Sequence, residues 1–270
     1  MKTKRFDCAP HPTPSNVFGP VWWIGRGIWG QLPSFTGEIG CNVFLLKGAK
    51  FDVLIDAGMS PTNGPLERAI RLAGSSPERI REIWITHSHS DHLNGAQTWT
   101  AKYPKTRVRI SDIGLRYLRN KDYRLVGLAD PKAIAKYRVP KNLSAFKEGD
   151  ALSCPPWKFR AEYLPGHTLD MFCFRGRIDG CDVYFSGDCA IGDQGKTWGN
   201  IGWLNSLWLS NLRDYETSLM NLNKRIPDVL LPGHGVPHAG ASAARSVKNC
   251  LKRVKKFRAF PQLGSMVPFT

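Results

Sequence analysis

Short apolar runs, each closed by glycine or by charged residues, recur along the first half of the chain and predict β-strands. Two stretches between them have helical spacing. One is Leu66–Leu72, where Leu66 and Ile70 share a face, and the other runs from about Leu93 to Lys102. Strands that alternate with helices indicate an α/β fold. The predicted strands of this half are Val21–Ile24, Asn42–Leu46, Asp52–Ile55, Glu82–Thr86 and Arg107–Ile110.

The same pattern returns in the second half of the chain. A helix with apolar positions at Leu212, Tyr215, Leu219 and Leu222 leads into the apolar strand Val229–Leu231. We therefore expect one domain over residues 1–270, built from two strand-rich halves that each carry helices. The other predicted strands of this half are Phe159–Leu164, Met171–Arg175 and Val183–Phe185.

Residues 113–150 interrupt this rhythm between the two halves. They are basic and contain two weakly amphipathic helical pieces, at about 114–123 and 131–137, with Pro131 and Pro140 as breaks. We interpret them as a segment inserted between the halves.

Composition sets the broad class of protein. With 42% apolar residues in 270, the chain can bury a substantial core. No run approaches the roughly 18 to 20 apolar residues that cross a bilayer, and no apolar run follows the basic N-terminal residues as in a secretory signal. The seven cysteines are odd in number and form no C-x-x-C pair. We therefore expect a reducing compartment, the cytoplasm by default, and no membrane partner.

The formal charge of +16 is high and can attract nucleic acid, lipid or an anionic substrate. Its densest cluster, Lys248–Arg258, lies opposite apolar positions at helical spacing, which also fits an ordinary solvated helix. We favour that second interpretation. The expected partner is a small-molecule substrate, nucleic acid is less favoured, and a homo-oligomer is left open.

Four side chains able to bind metal are crowded into the turn that follows the strand ending near Thr86: His87, His89, Asp91 and His92. A turn at a strand end can bring such side chains to one point, as metal ligation requires. One histidine alone is more often an ordinary core or surface residue. Three neighbouring imidazoles have no packing purpose, so the cluster predicts a metal site.

Three later residues share this position at a strand end. His167 and His234 each follow a strand and a Pro-Gly pair, and Asp188 follows a strand and Ser-Gly. A glycine before the donor lets the backbone turn sharply, so that the side chain projects into a shared cleft. His11 and His238 lack this context, and we expect them to be ordinary surface residues.

The order H-x-H-x-D-H, P-G-H-T, G-D and P-G-H-G resembles the metallo-β-lactamase superfamily over about Asn42 to Gly235. The resemblance implies an αββα sandwich, in which two mixed β-sheets are flanked by helices and the metals lie at one edge. It also implies that Asp56 orients metal-bound histidines and that residues 113–150 form a lid. The implied ligands are His87, His89 and His167 for the first ion, Asp91, His92 and His234 for the second, and Asp188 between them.

Nitrogen and oxygen ligands suit two Zn²⁺ ions per chain, and Fe or Mn also accept such sites. The resemblance then implies hydrolysis by water activated between the ions, with Asp188 in the catalytic centre and Asp91 passing a proton to the leaving group. Three tryptophans follow Asp188, and Trp198 and Trp203 are the candidates for an apolar substrate pocket. The alternative is that they pack the next helix onto the sheet.

The substrate is less determined. Zinc β-lactamases usually carry Cys or Ser where Asp188 stands, and hydroxyacylglutathione thioesterases add a helical C-terminal domain, whereas 36 residues follow His234 here. Lactonases keep all seven ligands but carry a Tyr in the region where Ile191 stands. We expect a dinuclear zinc hydrolase of a lactone or carboxylic ester, with side activity on β-lactams. The alternatives are a phosphodiesterase acting on RNA or an organophosphate, a mononuclear iron persulfide dioxygenase, and a metal-holding protein without turnover.

Overall fold

The computed structural model describes residues 14–25, 40–59, 62–192 and 199–259. A seven-stranded sheet holds the first half of this part, with its strands in chain order. The first four strands pair antiparallel and the last four pair parallel, so the sheet is mixed. The strands are β1 (Ser15–Phe18), β2 (Val21–Gly25), β3 (Val43–Leu46), β4 (Asp52–Ile55), β5 (Ile80–Trp84), β6 (Arg107–Ser111) and β7 (Leu143–Phe146).

A second, six-stranded sheet holds the rest. Its strands are β8 (Ala151–Cys154), β9 (Trp157–Tyr163), β10 (Phe172–Ile178), β11 (Cys181–Gly187), β12 (Val229–Pro232) and β13 (His238–Ala239). The strand order is β13-β12-β11-β10-β9-β8, and only β11 and β12 run parallel. The carboxyl ends of β11 and β12 therefore lie at the same edge of this sheet.

Seven α-helices accompany the sheets in the described residues. They are α1 (Gly64–Leu72), α2 (Ser90–Leu93), α3 (Gly95–Lys102), α4 (Asp112–Arg119), α5 (Pro131–Lys136), α6 (Leu212–Lys224) and α7 (Ala241–Ala259). None of these helices combines the length and the apolar character that a membrane crossing needs.

Alternation along the strands divides the apolar residues into three layers. Leu45 packs on the outer face of the first sheet with residues of α1 and α3, whereas its neighbour Phe44 faces the second sheet and contacts Phe185, with ring centroids 5.6 Å apart. Tyr184, next to Phe185, lies on the outer face of the second sheet with residues of α6 and α7, such as Val247. The predicted αββα sandwich is confirmed.

Local structure departs from the sequence prediction at the sheet edges, where the strands β1, β7, β8 and β13 were not predicted. The helix expected from about Leu93 to Lys102 is present as α3, which begins at Gly95, and the short helix α2 precedes it. Residues 113–150 contain most of α4, all of α5 and the unpredicted edge strand β7, which pairs with β6. Their role as a lid stays a prediction.

Candidate metal centre

Four turns at one edge of the sandwich carry the seven predicted donors. The first turn follows β5 and runs into α2, and the others follow β9, β11 and β12. The donors are His87, His89, Asp91 and His92 on the first turn, and His167, Asp188 and His234 on the other three. Both sheets therefore contribute to the centre.

The donor atoms form two groups. The ring nitrogens of His87, His89 and His167 all lie within 4.8 Å of one another, with His89 Nδ1 3.0 Å from His167 Nε2. The donor atoms of Asp91, His92 and His234 form a second group within the same limit. There, Asp91 Oδ2 lies 3.0 Å from His234 Nε2 and 3.6 Å from His92 Nε2.

Asp188 lies between the two groups. Its Oδ2 atom is 3.5 Å from Nε2 of His167, in the first group, and 3.5 Å from Nε2 of His234, in the second. Its Oδ1 atom is 3.5 Å from Nε2 of His92. Two ligand atoms about 2.1 Å from one tetrahedral ion are about 3.4 Å apart. The spacing around Asp188 is therefore that of ligands which share an ion, on both sides.

Several polar atoms of the centre are buried without a hydrogen-bond partner. Among the described residues, none bonds to Nε2 of His87, Nε2 of His92 or Oδ1 of Asp188. A buried polar atom left unpaired costs about 1–3 kcal/mol, so such atoms usually mark a group that binds there. Nitrogen and carboxylate donors suit Zn²⁺, Fe or Mn. The residues thus fit a pair of divalent ions.

Most of the donors are in the protonation state that metal binding requires. Burial lowers the pKa of His87 and His167, and lowers that of His89 to about 3, so these imidazoles are neutral. Burial alone would raise the pKa of Asp188, but His234 and His92 outweigh it and lower the pKa. The reverse holds at His234, where Asp188 and Asp91 outweigh burial and raise the pKa. This raised pKa reflects the negative charge that a cation would meet.

Asp56 supports the second group from behind. It follows β4 with φ 59°, a left-handed conformation. Its Oδ2 atom lies 2.8 Å from Nδ1 of His92, and its Oδ1 atom accepts a hydrogen bond of 2.8 Å from the Thr86 N–H. The carboxylate thus turns Nε2 of His92 toward the centre, the position that the sequence predicted for Asp56.

Two residues that the sequence analysis missed hold the donor turns together. Asp170 is fully buried, and its carboxylate accepts hydrogen bonds from the Ser88 N–H at 3.0 Å and the Thr168 hydroxyl at 2.9 Å. It thereby joins the turn of His87 and His89 to the turn of His167. The sequence distinguishes Asp170 only as an aspartate three residues after the histidine of a Pro-Gly-His turn.

Asn42 connects the two sheets near the donor turn that carries His234. Its side-chain amide donates to the carbonyl oxygens of Pro232 and Gly235, both at 2.8 Å, and its Oδ1 atom accepts from Trp23 Nε1 at 2.9 Å. Pro232 and Gly235 flank His234, so a residue of the first sheet fixes a donor of the second. The sequence offers no motif for this role.

The glycine of the second Pro-Gly-His turn, Gly233, lies against the side chains of the donor cluster. A Cβ at Gly233 would lie 2.3 Å from Asp188 Oδ1 and 2.8 Å from His92 Cε1. Any larger residue would therefore enter the donor cluster. Glycine is required at this position because a side chain would clash with the donors, whereas the sequence analysis predicts a requirement for a sharp backbone turn.

The remaining predicted residues have mixed outcomes. His238 is only 2% exposed, because β13 pairs with β12, so the expectation of a surface residue was wrong. His11 and Trp198 lie outside the described residues. Trp203 is 46% exposed and contacts Trp208, with ring centroids 5.7 Å apart. Trp208 in turn contacts the predicted ligand His89, with centroids 5.1 Å apart.

The comparison with protein families decides the identity of the fold. The family model of the Metallo-beta-lactamase superfamily matches residues 36–234. The chain belongs to this superfamily. All seven predicted donors lie within the match, and the protein is a metal-dependent hydrolase.

Two proteins of known sequence illustrate what the chain is similar to. It is similar to the acyl-coenzyme A thioesterase MBLAC2 of Gallus gallus, with 25% identity over 78% of each chain. It is also similar to the atrochrysone carboxyl ACP thioesterase of Aspergillus fumigatus, with 25% identity over 73% of this chain. That match spans about half of the fungal protein, 51% of its length.

A solved structure agrees on the fold. The FEZ-1 metallo-β-lactamase from Legionella gormanii superposes with a TM-score of 0.68, over 93% of this chain and 97% of that one. The sequence identity is 12%, so this likeness concerns the metallo-β-lactamase fold alone.

Proposed function

We propose that this protein hydrolyses thioesters at a centre of two divalent ions, zinc in the first instance. The position of Asp188 carries the proposal of two ions. One carboxylate lies 3.5 Å from donor nitrogens of both groups, which suits a ligand shared between two ions. His87, His89 and His167 would hold one ion, and Asp91, His92 and His234 the other.

The choice of thioesters rests on the two relatives described above, since both are named as thioesterases. A thioester belongs to the same bond class as the lactone or carboxylic ester expected from the sequence, because water attacks an acyl carbon in each. The lactone and β-lactam activities stay predictions and form arms of the test below.

Two divalent ions in such a centre would polarise the acyl oxygen and lower the pKa of water to about 7. The protein's own contribution begins with Asp91. Its side chain is 22% exposed, whereas those of His92 and Asp188 are at most 4% exposed, so Asp91 is the donor that faces the opening. Burial would raise its pKa, but His92 and His234 outweigh burial and keep the carboxylate ionised.

In this proposal, water attacks the acyl carbon, the carbon–sulfur bond breaks, and Asp91 carries the proton from the water to the departing sulfur. The products are a carboxylic acid and a thiol. The other donors have a positioning task. Asp56 holds His92, and Tyr215 donates a 2.6 Å hydrogen bond to the carbonyl oxygen of Asp188. The donor geometry is therefore fixed before a substrate arrives.

The test combines metal analysis with a hydrolysis screen. The purified protein is loaded with zinc, its metal content is measured, and thioesters, lactones, β-lactams and phosphodiesters are offered as substrates. We expect about two zinc ions per chain and hydrolysis of thioesters first. Asp188→Asn should lower both zinc content and activity, because the amide has only one ligating oxygen and no charge.

Asp179→Asn is the matched control. Asp179 is an exposed residue of the β10–β11 turn with φ 49°, a conformation that asparagine also adopts, so this variant should behave as the parent. Cleavage of phosphodiesters alone, with steep salt dependence, would support the phosphodiesterase alternative. A single bound iron with oxygen consumption and no hydrolysis would contradict the proposal.

A further inference from the structure

The segment 199–211 begins directly beside His167, on the side of its Nδ1 atom. A Cβ at Gly202 would lie 2.5 Å from Nδ1 of His167 and 2.9 Å from the carbonyl oxygen of Asp188. The backbone at Gly202 is therefore in contact with the predicted metal ligands. The segment that follows Gly202, up to Asn211, is here called the rim of the centre.

Hydrogen bonds hold this rim in place. Ser210 Oγ donates to the carbonyl oxygen of His167 at 2.5 Å, and the Asn211 N–H donates to that of Gly166 at 2.8 Å. At the other end, the Gly202 N–H donates to Tyr215 Oη at 2.9 Å. Both ends are thus tied to the turn of His167 and to α6, so the side chains between them keep a defined position beside the site.

Two of those side chains are indoles. The Trp208 ring contacts the His89 ring at 5.1 Å between centroids, and on another side it lies 3.8 Å from the position of a Cβ at Gly127. Trp203 packs edge to face on Trp208 at 5.7 Å and keeps 46% of its surface exposed. The two rings form a continuous apolar surface from a metal ligand outward, here called the indole wall.

We propose that the indole wall binds the apolar acyl chain of the substrate, which makes Trp203 a specificity-determining residue. This inference rests on the proposed thioesterase function. An acyl carbon at the two ions places its chain within reach of the surface beside His89, and each methylene buried there is worth about a four-fold gain in binding.

The experiment measures chain-length selectivity. Values of kcat/KM for acetyl, butyryl, hexanoyl and octanoyl esters of one thiol are compared between the zinc-loaded parent, Trp203→Ala and Trp203→Phe. We expect the octanoyl-to-acetyl ratio to fall about ten-fold or more in Trp203→Ala, the loss of roughly two methylene contacts. Trp203→Phe should retain most of the ratio. The control is Leu72→Ala, which removes a 56% exposed apolar side chain on α1 and should keep the parent's ratio.

A binding measurement separates this inference from the proposed function. Acetate and octanoate, the carboxylate products, are titrated into the same zinc-loaded proteins by calorimetry. If octanoate binds more tightly than acetate and Trp203→Ala removes the difference, the indole wall stands even if no thioester is hydrolysed. If thioesters are hydrolysed but Trp203→Ala leaves both the ratio and the octanoate affinity unchanged, the inference is wrong.

Two further outcomes would also overturn it. If Trp203→Ala changes the kcat/KM ratio between different thiols that carry the same acyl group, the indole wall binds the thiol part of the substrate. A lower molecular mass of Trp203→Ala in light scattering, with unchanged chain-length dependence, would assign the wall to contact between two copies of this chain.

Discussion

Asp56 Oδ2 lies 2.8 Å from Nδ1 of His92, although 36 positions separate the two residues in the chain. The contact joins the end of β4 to the first turn of α2. Because Nδ1 is engaged in this way, Nε2 is the nitrogen that His92 presents to the donor cluster, where it has no hydrogen-bond partner among the described residues. Asp56 therefore determines how one predicted ligand faces the donor cluster.

Asp56→Asn should weaken metal binding without unfolding the protein. Asparagine accepts the left-handed backbone of this position, but its amide is a poorer acceptor for the His92 N–H. Loss of such a supporting carboxylate lowers metal affinity about 10- to 100-fold. Zinc affinity measured by competition with a chromophoric chelator checks this, with Asp179→Asn as the control. Equal affinities of the two variants would contradict the role given to Asp56.

Gly233→Ala should abolish binding of at least one ion. The new methyl group would lie 2.3 Å from Asp188 Oδ1, and neither Asp188 nor His92 can withdraw while it serves as a ligand. Gly64→Ala is the control, because nothing lies within 4 Å of a Cβ there. Metal content of the two purified variants gives the answer. A Gly233→Ala protein with the full metal content would show that the turn after β12 can shift with little loss of free energy.

Removal of the ions should destabilise the fold as well as stop hydrolysis. A ligand that binds only the folded state stabilises it by about 4 kcal/mol at a thousand-fold excess over its Kd. We therefore expect the melting temperature to drop on dialysis against a chelator and to return with added zinc. Calorimetric scans of both forms test this. An unchanged melting temperature would mean that the donor cluster is stable without a cation.

Asp170 should make stability depend on pH in a particular direction. Burial raises the pKa of Asp170 to about 6, above its ordinary value of 3.8. The folded protein then holds this proton more tightly than the unfolded chain, so the contribution of Asp170 to the free energy of unfolding falls as pH rises from about 4 to about 6. The fall amounts to about 3 kcal/mol.

Asp170→Asn removes this dependence, since the amide does not ionise yet can still accept the Ser88 N–H. Its free energy of unfolding should rise relative to that of the parent across the same pH window. Denaturant unfolding of both proteins at several pH values measures the difference, in which the groups common to both cancel. A difference that stays constant with pH would show that Asp170 titrates in its ordinary range.

Local patterns predicted most strands and helices and the seven donors, and the sandwich followed from the resemblance that the donor motifs carry. Strands and helices leave a period of apolar residues, and a donor after a strand end leaves a short motif. The helix α2 was not predicted, because a four-residue helix is too short to show an apolar period. The strand β7 was missed because it lies at a sheet edge and has few buried residues.

The supporting residues were missed for a related reason. Asn42 and Asp170 are single polar residues whose importance comes from partners far along the chain. Trp208 stood in the same run as Trp198 and Trp203, and only the fold shows that its ring contacts His89. His238 was taken for a surface residue because pairing of β13 with β12 leaves no periodic signal in two residues.

The mixed origin of each donor group has a consequence for how the protein matures. The group of His87 and His89 is completed by His167, and that of Asp91 and His92 by His234, so neither half of the sandwich holds a complete set. The turn that ends at His92 is synthesised 75 residues before His167 and 142 residues before His234. A complete set of predicted donors therefore exists only after the two halves have docked, which makes docking a precondition for metal binding at this centre.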